Sequence, residues 1–419
     1  MDEKAGPGVP APPPSGGPQS IEQGFETLRA RIATEGRCLR FENGDYGIFD
    51  PALVTRIEAD NYRGVGVPGQ LKSGNENATG TTWAEVRDAL IRTGTAHNSP
   101  DHLLPLQARM RTYLAAHGGR DQNLTLLIEK TVSHALVSMV IAGVEGRALR
   151  WILIDQATKL TNLVTPLTVK FGPARKAADA LRQVRAGFAV RRHLAARRSG
   201  RIPPQVDSAQ AILDFGDRLT PAQAAYAVMT VLTAVSGAPG SVAACLAFEL
   251  SRRPDWRAKV TEELSGIDDA TLCASPARNA PLTNRVVREV LRLWSFPMMS
   301  HRRALRPLAC GPVELAVGEH YHLSSFITHR DPQYWTDPEA FDPDRWRAGA
   351  APAETGASVP FGWAKRSCVG AALGFTQLML FARLITQEFR VEPDDPAKAW
   401  MRLEGAALPA DFEGRIVPA

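Results

Sequence analysis

From Pro221 to Phe248 the chain carries no charged residue, a run long enough to cross a bilayer as one helix. Such a segment must be hidden from water, either in lipid or inside a large protein core. Its interior argues for the core. Ser236-Gly237-Ala238-Pro239-Gly240 sits near its centre, Ala, Thr and Ser are frequent, and only one cation, Arg218, closely precedes it. We expect a long helix buried in a globular domain, with Pro239 removing a backbone hydrogen bond and kinking it. The chain can supply that core, with 419 residues of which 44% are hydrophobic.

Elsewhere helical spacing dominates. Residues 1–20 are rich in Pro and Gly with no apolar core, and read as a disordered tail rather than a signal or an anchor. Ile21 to Ile32 has helical periodicity. Cys38 to Asp60 reads as short strands, with a turn at Asn43-Gly44-Asp45. Arg63 to Thr82 reads as a Gly-rich loop, and Trp83 to about Arg201 as helical. Within that stretch, the basic run from Lys170 to Arg201 is expected mostly to solvate one helix face. Pro254 opens a further element, and Thr283 to Trp294 forms a helix stopped by Pro297. Residues 303–330 alternate like strands, and AALGFTQLMLFARLITQEF (371–389) has amphipathic helical spacing. The expected class is α+β, mainly α, with residues 21–419 as a single domain.

Composition removes several function classes. The 49 basic and 44 acidic residues leave a net charge of only +5, too dispersed to indicate nucleic acid. The five cysteines (Cys38, Cys245, Cys273, Cys310 and Cys368) form no CxxC pair, so neither a zinc site nor a disulfide framework is indicated. The sequons at Asn77 and Asn123 are taken as chance matches. Gly64-Val65-Gly66-Val67-Pro68-Gly69 matches GxGxxG, but a dinucleotide site needs a helix to follow, and Pro68 with QLKSGNENATG gives loop.

The segment Pro360-Phe361-Gly362-Trp363-Ala364-Lys365-Arg366-Ser367-Cys368-Val369-Gly370 carries chemistry. It places a cysteine in a glycine-containing loop, after two cations and ahead of a helix. Both surroundings favour thiolate over thiol. A thiolate so stabilised is either a nucleophile or a metal ligand, and none of the nine histidines lies near in sequence to act as a base.

This segment resembles the haem-binding loop of the cytochromes P-450, F-G-x-G-x-R-x-C-x-G. It matches at Phe361, Gly362, Arg366, Cys368 and Gly370 and departs at Ala364, where the pattern has glycine. The resemblance implies the cytochrome P-450 fold enclosing one haem b (iron protoporphyrin IX). Cys368 is then the metal ligand, a thiolate whose electron donation favours O–O cleavage. Arg366 bonds a propionate. Other segments resemble the family in the same order. Glu289-Val290-Leu291-Arg292 puts an E-x-x-R pair on one helix face. FDPDRW (341–346) looks like the segment adding Arg345 to that pair, giving a structural lock of Glu289, Arg292 and Arg345. Thr328 to Phe341 is also similar. Arg302 falls where the family places a propionate-binding arginine, and Trp83 with Arg87 matches W-x-x-x-R on a helix covering the propionates.

One departure bears on mechanism. The uncharged helix resembles the one that passes over the haem, whose centre reads A-G-x-[DE]-T where acid and alcohol relay protons. Here it aligns with Ala234-Val235-Ser236-Gly237-Ala238, so Gly237 and Ala238 replace the acid and the alcohol. A substrate hydroxyl, or water held by Ser236 or Ser241, would then have to supply the proton. Alternatively, the chain uses peroxide, catalyses an isomerisation, dehydration or coupling reaction, or is a silent scaffold. The resemblance otherwise implies a cytoplasmic monooxygenase of specialised metabolism acting on a hydrophobic small molecule, monomeric, without membrane or nucleic acid, and served by a ferredoxin and its reductase. A basic patch around Arg87, Arg92, Lys365 and Arg366 would suit that acidic partner. Residues 64–82, Thr230–Ser241 and Pro297–Ser300 are the expected substrate-facing segments.

Overall fold

A computed structural model describes residues 21–61, 64–66, 81–164, 170–347, 356–404 and 406–419. The expected tail, the Asn77 sequon and nearly all of the Gly-rich loop, including Val67 to Gly69 of the GxGxxG match, lie outside these residues. The described residues gather into two compact units. The first draws on the described residues within 1–70, 284–368 and 396–412, the second on those within 71–283, 369–395 and 413–419.

In the first unit, the helix Ile21–Glu35 precedes a five-stranded sheet ordered Cys38–Arg40, Tyr46–Ile48, His320–Leu323, Ser300–Ala304, Val65–Gly66. All its pairings are antiparallel except that of Tyr46–Ile48 with His320–Leu323. The first hairpin closes at the expected turn, where Gly44 takes φ +87°, a backbone state open to glycine. The strand expectation for 38–60 fails beyond Phe49, because Pro51–Asp60 is a helix. Asp50 caps it by accepting from Leu53 N, Pro51 occupies its first turn, and Leu53, Val54 and Ile57 face inward at helical spacing. The alternation expected through residue 330 likewise stops at Ser324, whose hydroxyl accepts from Ile327 N and opens the short helix Ser325–Thr328. The sheet and the helix Pro51–Asp60 share one apolar cluster that includes Ile57, Val65, Tyr321, Leu323 and Trp363. Helix Pro281–Leu293 is strongly amphipathic, burying Val286, Val287, Val290 and Leu291.

His329 is fully buried in this unit, and burial, followed by the charges of Arg292 and Arg330, pushes its pKa down to about 3. Val359 N donates to Nε2 at 2.9 Å, so the ring proton sits on Nδ1, 2.9 Å from the Arg292 carbonyl. The folded state therefore holds a neutral ring where the unfolded chain takes up a proton near pH 6.5. His134 in the second unit, held down to about 4 by burial, His117 and Lys130, acts in the same sense. Stability from these groups is full above about pH 6.5 and falls as pH drops toward the folded values, by up to ~1.4 kcal/mol per pH unit for each histidine. Urea unfolding at pH 7, 6 and 5 checks this, and an unchanged midpoint would contradict it.

The second unit is built largely of helices, among them Trp83–His97, Pro100–His117, Leu124–Val140, Gly146–Val164 and Pro173–Arg198. The strands Gln122–Asn123, Glu413–Pro418 and Phe389–Pro393 add a three-stranded sheet. On the basic helix Pro173–Arg198 most arginines are solvated as expected. Arg197 departs from this, because it is buried and bonds Asp207 and the Ala142 carbonyl. Among the described residues, one helical stretch, Pro221–Arg252, is long and apolar enough to cross a membrane, and 61% of its most apolar window is buried. It is two helices, Pro221–Ser236 and Ala238–Arg252, divided at Gly237 with φ −113° and ψ −81°. Pro239 lies in the first turn of the second helix, where its missing N–H costs nothing. The amphipathic segment after Gly370 is helical over Ala371–Arg383, widens over Leu384–Glu388, and becomes a strand at Phe389 rather than continuing as helix.

Candidate active site

Each unit carries part of the expected site. In the first, residues 359–368 turn back on themselves. Gly362 N donates to Val359 O at 3.0 Å and Cys368 N to Phe361 O at 2.7 Å, so Phe361 closes the loop that presents Cys368. Gly362 has φ +89° and Ala364 φ +45°. The left-handed state at Ala364 explains why the family pattern asks for glycine there, since a Cβ costs about 1–2 kcal/mol in that conformation. The thiol of Cys368 is exposed, whereas Cys245 and Cys273 are buried. Burial raises the Cys245 pKa far above that of an ordinary thiol, and the Cys273 pKa to about 11, so both remain inert.

Arg366 and Arg302 converge on one carboxylate, Glu58, which is fully buried. Arg302 Nε lies 3.3 Å and Arg366 Nε 3.5 Å from its oxygens, and Tyr321 donates its phenolic hydrogen to Glu58 Oε1 at 2.6 Å. Arg366 also reaches the Val65 carbonyl. Neither Glu58 nor Tyr321 stood out in the sequence. The available signal was an acidic residue on the apolar face of VTRIEAD, four residues after Val54 and next to Ile57.

Glu289, Arg292 and Arg345 form a closed network in the same unit. Glu289 Oε1 accepts from Arg292 at 2.8 Å, from Arg345 at 3.0 Å and from Asp342 N at 2.9 Å. Its Oε2 accepts from Arg292 and from Trp346 Nε1, each at 2.9 Å. Arg292 spends its remaining donors on the His329, Pro338 and Ala340 carbonyls.

In the second unit, Thr82 and Glu85 form a capping box that starts helix Trp83–His97. Trp83 packs partly into the helical core, and Arg87, one turn on, shares its face. At the divided helix, Ser236 Oγ donates to Thr233 O at 2.7 Å. The Gly237 carbonyl accepts from Ser241 N at 3.0 Å, and Ser241 Oγ stands 2.8 Å from Glu129 Oε1, a buried carboxylate of helix Leu124–Val140. Gly240 has no room for a side chain there, since a Cβ would meet Glu129 Cα at 2.6 Å. Glu129 was also missed, although it is a charge on a strongly apolar helix.

The family model for cytochrome P450 matches residues 147–411, more than half of the chain. The chain belongs to the cytochrome P450 family. Its fold is that of the solved P450 haem domains. The crystal structure of the cytochrome P450DA heme domain superposes with a TM-score of 0.74 at 19% identity, covering 98% of this chain and 97% of that one. Among curated relatives, the mitochondrial 25-hydroxyvitamin D-1 alpha hydroxylase of Rattus norvegicus is 31% identical over 154 residues, 36% of this chain and 31% of the relative. Cyclooctatin synthase of Streptomyces melanosporofaciens is 31% identical over 172 residues, covering 40% of this chain and 37% of that protein. The matched stretch thus spans about a third of the length of these relatives.

The residues of this P450 fit an iron porphyrin. Among the described residues no group of three His, Cys, Asp or Glu side chains converges to hold a metal ion. The single exposed thiol at Cys368 suits an iron whose other donors come with a macrocycle. Around Glu58, the guanidiniums of Arg302 and Arg366 gather at one buried carboxylate, and guanidinium is the donor type that suits an acidic substituent of the ring.

Proposed function

We propose that this P450 is a haem-thiolate monooxygenase-type enzyme that oxidises a hydrophobic small molecule, with Cys368 as the iron ligand. The observation that carries this reading is the exposed Cys368 thiol, on a backbone-braced loop two residues beyond Arg366. Haem b, when bound, supplies oxidative chemistry with dioxygen or peroxide. The protein's own part is to hold and shield the group. Cys368 would provide the thiolate, Arg302 and Arg366 would bond propionate, and Trp83 with Arg87 would add to the propionate-binding set. Thr230–Ser241 and Pro297–Ser300 offer small and apolar side chains to a substrate with few polar handles.

Proton supply is where this chain departs from the family pattern. With glycine at 237 and alanine at 238, the helix break offers the hydroxyls of Ser236, which donates to the Thr233 carbonyl, and of Ser241, which is engaged with Glu129. We assign the proton to water held by Ser236 or Ser241, or to a hydroxyl of the substrate. That residues 21–419 act as one haem domain belongs to the same proposal, supported by the near-complete coverage of solved haem domains. So do a ferredoxin partner, a monomeric state, a cytoplasmic setting and a role in specialised metabolism.

The missing acid and alcohol favour a second reading, in which peroxide is the oxidant or the reaction is an isomerisation, dehydration or coupling. Mass spectrometry of products distinguishes the two. Haem-loaded protein is supplied with dioxygen and a surrogate ferredoxin pair, or with peroxide alone. The first reading predicts oxygenated product with dioxygen and no gain from Gly237→Glu/Ala238→Thr. Product with peroxide only, together with a rise in dioxygen-dependent turnover in that double variant, would establish the second.

A further inference from the structure

Helix Pro221–Ser236 is packed inside the second unit, with Val228, Leu232 and Ser236 buried, yet its Thr230, Thr233 and Ala234 are exposed. Their spacing puts them on one face, and Gly237 follows one turn beyond Thr233. Helix Gly146–Val164 of the same unit meets this face with a charged side chain. Lys159 Nζ donates to Thr233 Oγ1 at 2.9 Å and stands 2.7 Å from Asp155 Oδ2, one turn back on its own helix. Thr233 gives its own hydrogen to the Met229 carbonyl at 2.9 Å, so toward Lys159 its hydroxyl is an acceptor.

Asp155, Gln156 and Lys159 interrupt an inner side that is otherwise apolar, where Ile152 and Leu160 are buried. Their hydrogen-bonding capacity is not filled. The contact of Lys159 with Asp155 is an ion pair without the alignment of a hydrogen bond, and Asp155 Oδ2 accepts none. Gln156 is 1% exposed, and among the described residues neither its Oε1 nor its Nε2 meets a partner. An ammonium carries three N–H donors, so Lys159 keeps donors beyond its bond to Thr233. Gln156 and Lys159 are three residues apart and neighbours on the helix surface. Buried polar atoms in native proteins are nearly always satisfied, so a cluster short of partners points to a polar group that binds there.

We propose that Lys159 and Gln156 are the polar handle of the substrate site, and that they take a neutral oxygen function, a ketone or a hydroxyl, on an otherwise apolar skeleton. Asp155 and Thr233 are positioning residues that hold the ammonium. This rests on the monooxygenase-type reading above and names its substrate class. Charge decides the class. Asp155, with a side-chain exposure of 4%, already answers Lys159. A carboxylate brought here would lose its water without meeting net positive charge, and an amine would meet the ammonium. A neutral oxygen suffers neither cost. It accepts from Lys159 and from Gln156 Nε2, and a hydroxyl also donates to Gln156 Oε1. An oxygen held beside Thr233 lies one turn, about 5.4 Å along the axis, from the helix break at Gly237. A substrate hydroxyl is thereby brought near the place where the acid and the alcohol are replaced.

The test is equilibrium dialysis of probe ligands against the haem-loaded parent, Lys159→Met, Gln156→Leu and Thr233→Val. The probes are adamantane and cyclododecane, each as the hydrocarbon, ketone, alcohol, carboxylic acid and amine. The parent should bind the ketone and alcohol about tenfold more tightly than the acid and amine of the same skeleton. Lys159→Met should weaken ketone and alcohol about tenfold and Gln156→Leu about threefold, the scale of a hydrogen bond to a charged and to a neutral group. Thr233→Val should weaken them by less than Lys159→Met, and hydrocarbon binding should stay unchanged throughout. Replacing a buried amide that lacks partners should not lower the urea midpoint of Gln156→Leu, which separates loss of binding from loss of fold. Equal binding of ketone, acid and amine by the parent would overturn the proposal, as would no binding of any probe. So would a preference for the acid, or equal weakening of hydrocarbon and ketone in the variants. If Lys159→Met does not fold by circular dichroism, Gln156→Leu and Thr233→Val carry the same comparison. The reduced carbon monoxide spectrum of the parent separates the two levels. A parent without thiolate ligation overturns the haem-thiolate reading together with this one, whereas a thiolate-ligated parent that binds without selectivity overturns this one alone.

Discussion

Replacing Cys368 by serine is expected to abolish the red-shifted Soret band of the reduced, carbon monoxide-bound protein completely. Serine keeps the size and hydrogen-bonding capacity of the side chain, and the Cys368 N to Phe361 O bond is a backbone contact that survives the change. What disappears is the thiolate, the donor that distinguishes this class of haem ligation. Any haem that remains should show a Soret band at the ordinary position, and oxidation of substrate should fall to the background of free haem. Cys38→Ala serves as the control. That thiol is half-buried in a sheet strand with its pKa raised by burial, and its removal should leave the band in place. A red-shifted band that persists in Cys368→Ser would remove Cys368 from the metal site.

The second large effect concerns stability. Glu289→Gln keeps the shape of the side chain and removes its charge, leaving Arg292 and Arg345 in the interior with no counterion. Arg292 has a side-chain exposure of 1% and Glu289 of 0%, so water cannot compensate. Breaking a buried pair from one side costs about 3–5 kcal/mol. The amide also presents N–H groups where Oε1 and Oε2 now accept from Arg292, Arg345, Trp346 and the Asp342 backbone. Against a typical total of about 5–15 kcal/mol, such a loss is severe. Urea unfolding should show a midpoint lowered by a third or more, and soluble yield should drop. A change below about 1 kcal/mol would mean that the network specifies geometry without supplying stability.

Those two sites were the most legible in the sequence because their signals are local. The Cys368 loop compresses a turn, two cations and a ligand into a few residues, and Glu289 with Arg292 declare themselves by helical spacing. Helices with strong periodicity, such as Pro281–Leu293, were equally readable. What escaped depends on contacts distant in sequence. Glu58 meets Tyr321, Arg302 and Arg366 from positions 244 to 308 residues away, and Glu129 meets Ser241 across 112 residues. No spacing rule links such residues. Only the anomaly of a charge on an apolar helix face points to them. Pro51–Asp60 was misread for a different reason. The strand reading ran on past Phe49, whereas Asp50 and Pro51, a cap and a first-turn proline, start a helix there despite its β-branched Val54, Thr55 and Ile57. The division of the uncharged helix at Gly237 was foreseeable from the glycine and proline there, although Pro239 proved to start a helix rather than bend one.

The central claim is that Cys368 provides a thiolate to haem iron, and the most direct measurement is the visible spectrum of the reduced protein with carbon monoxide. The account predicts a strongly red-shifted Soret band that forms on reduction. A Soret band at the ordinary position in well-folded protein would contradict it, and absence of any haem band after reconstitution would leave the scaffold as the surviving reading.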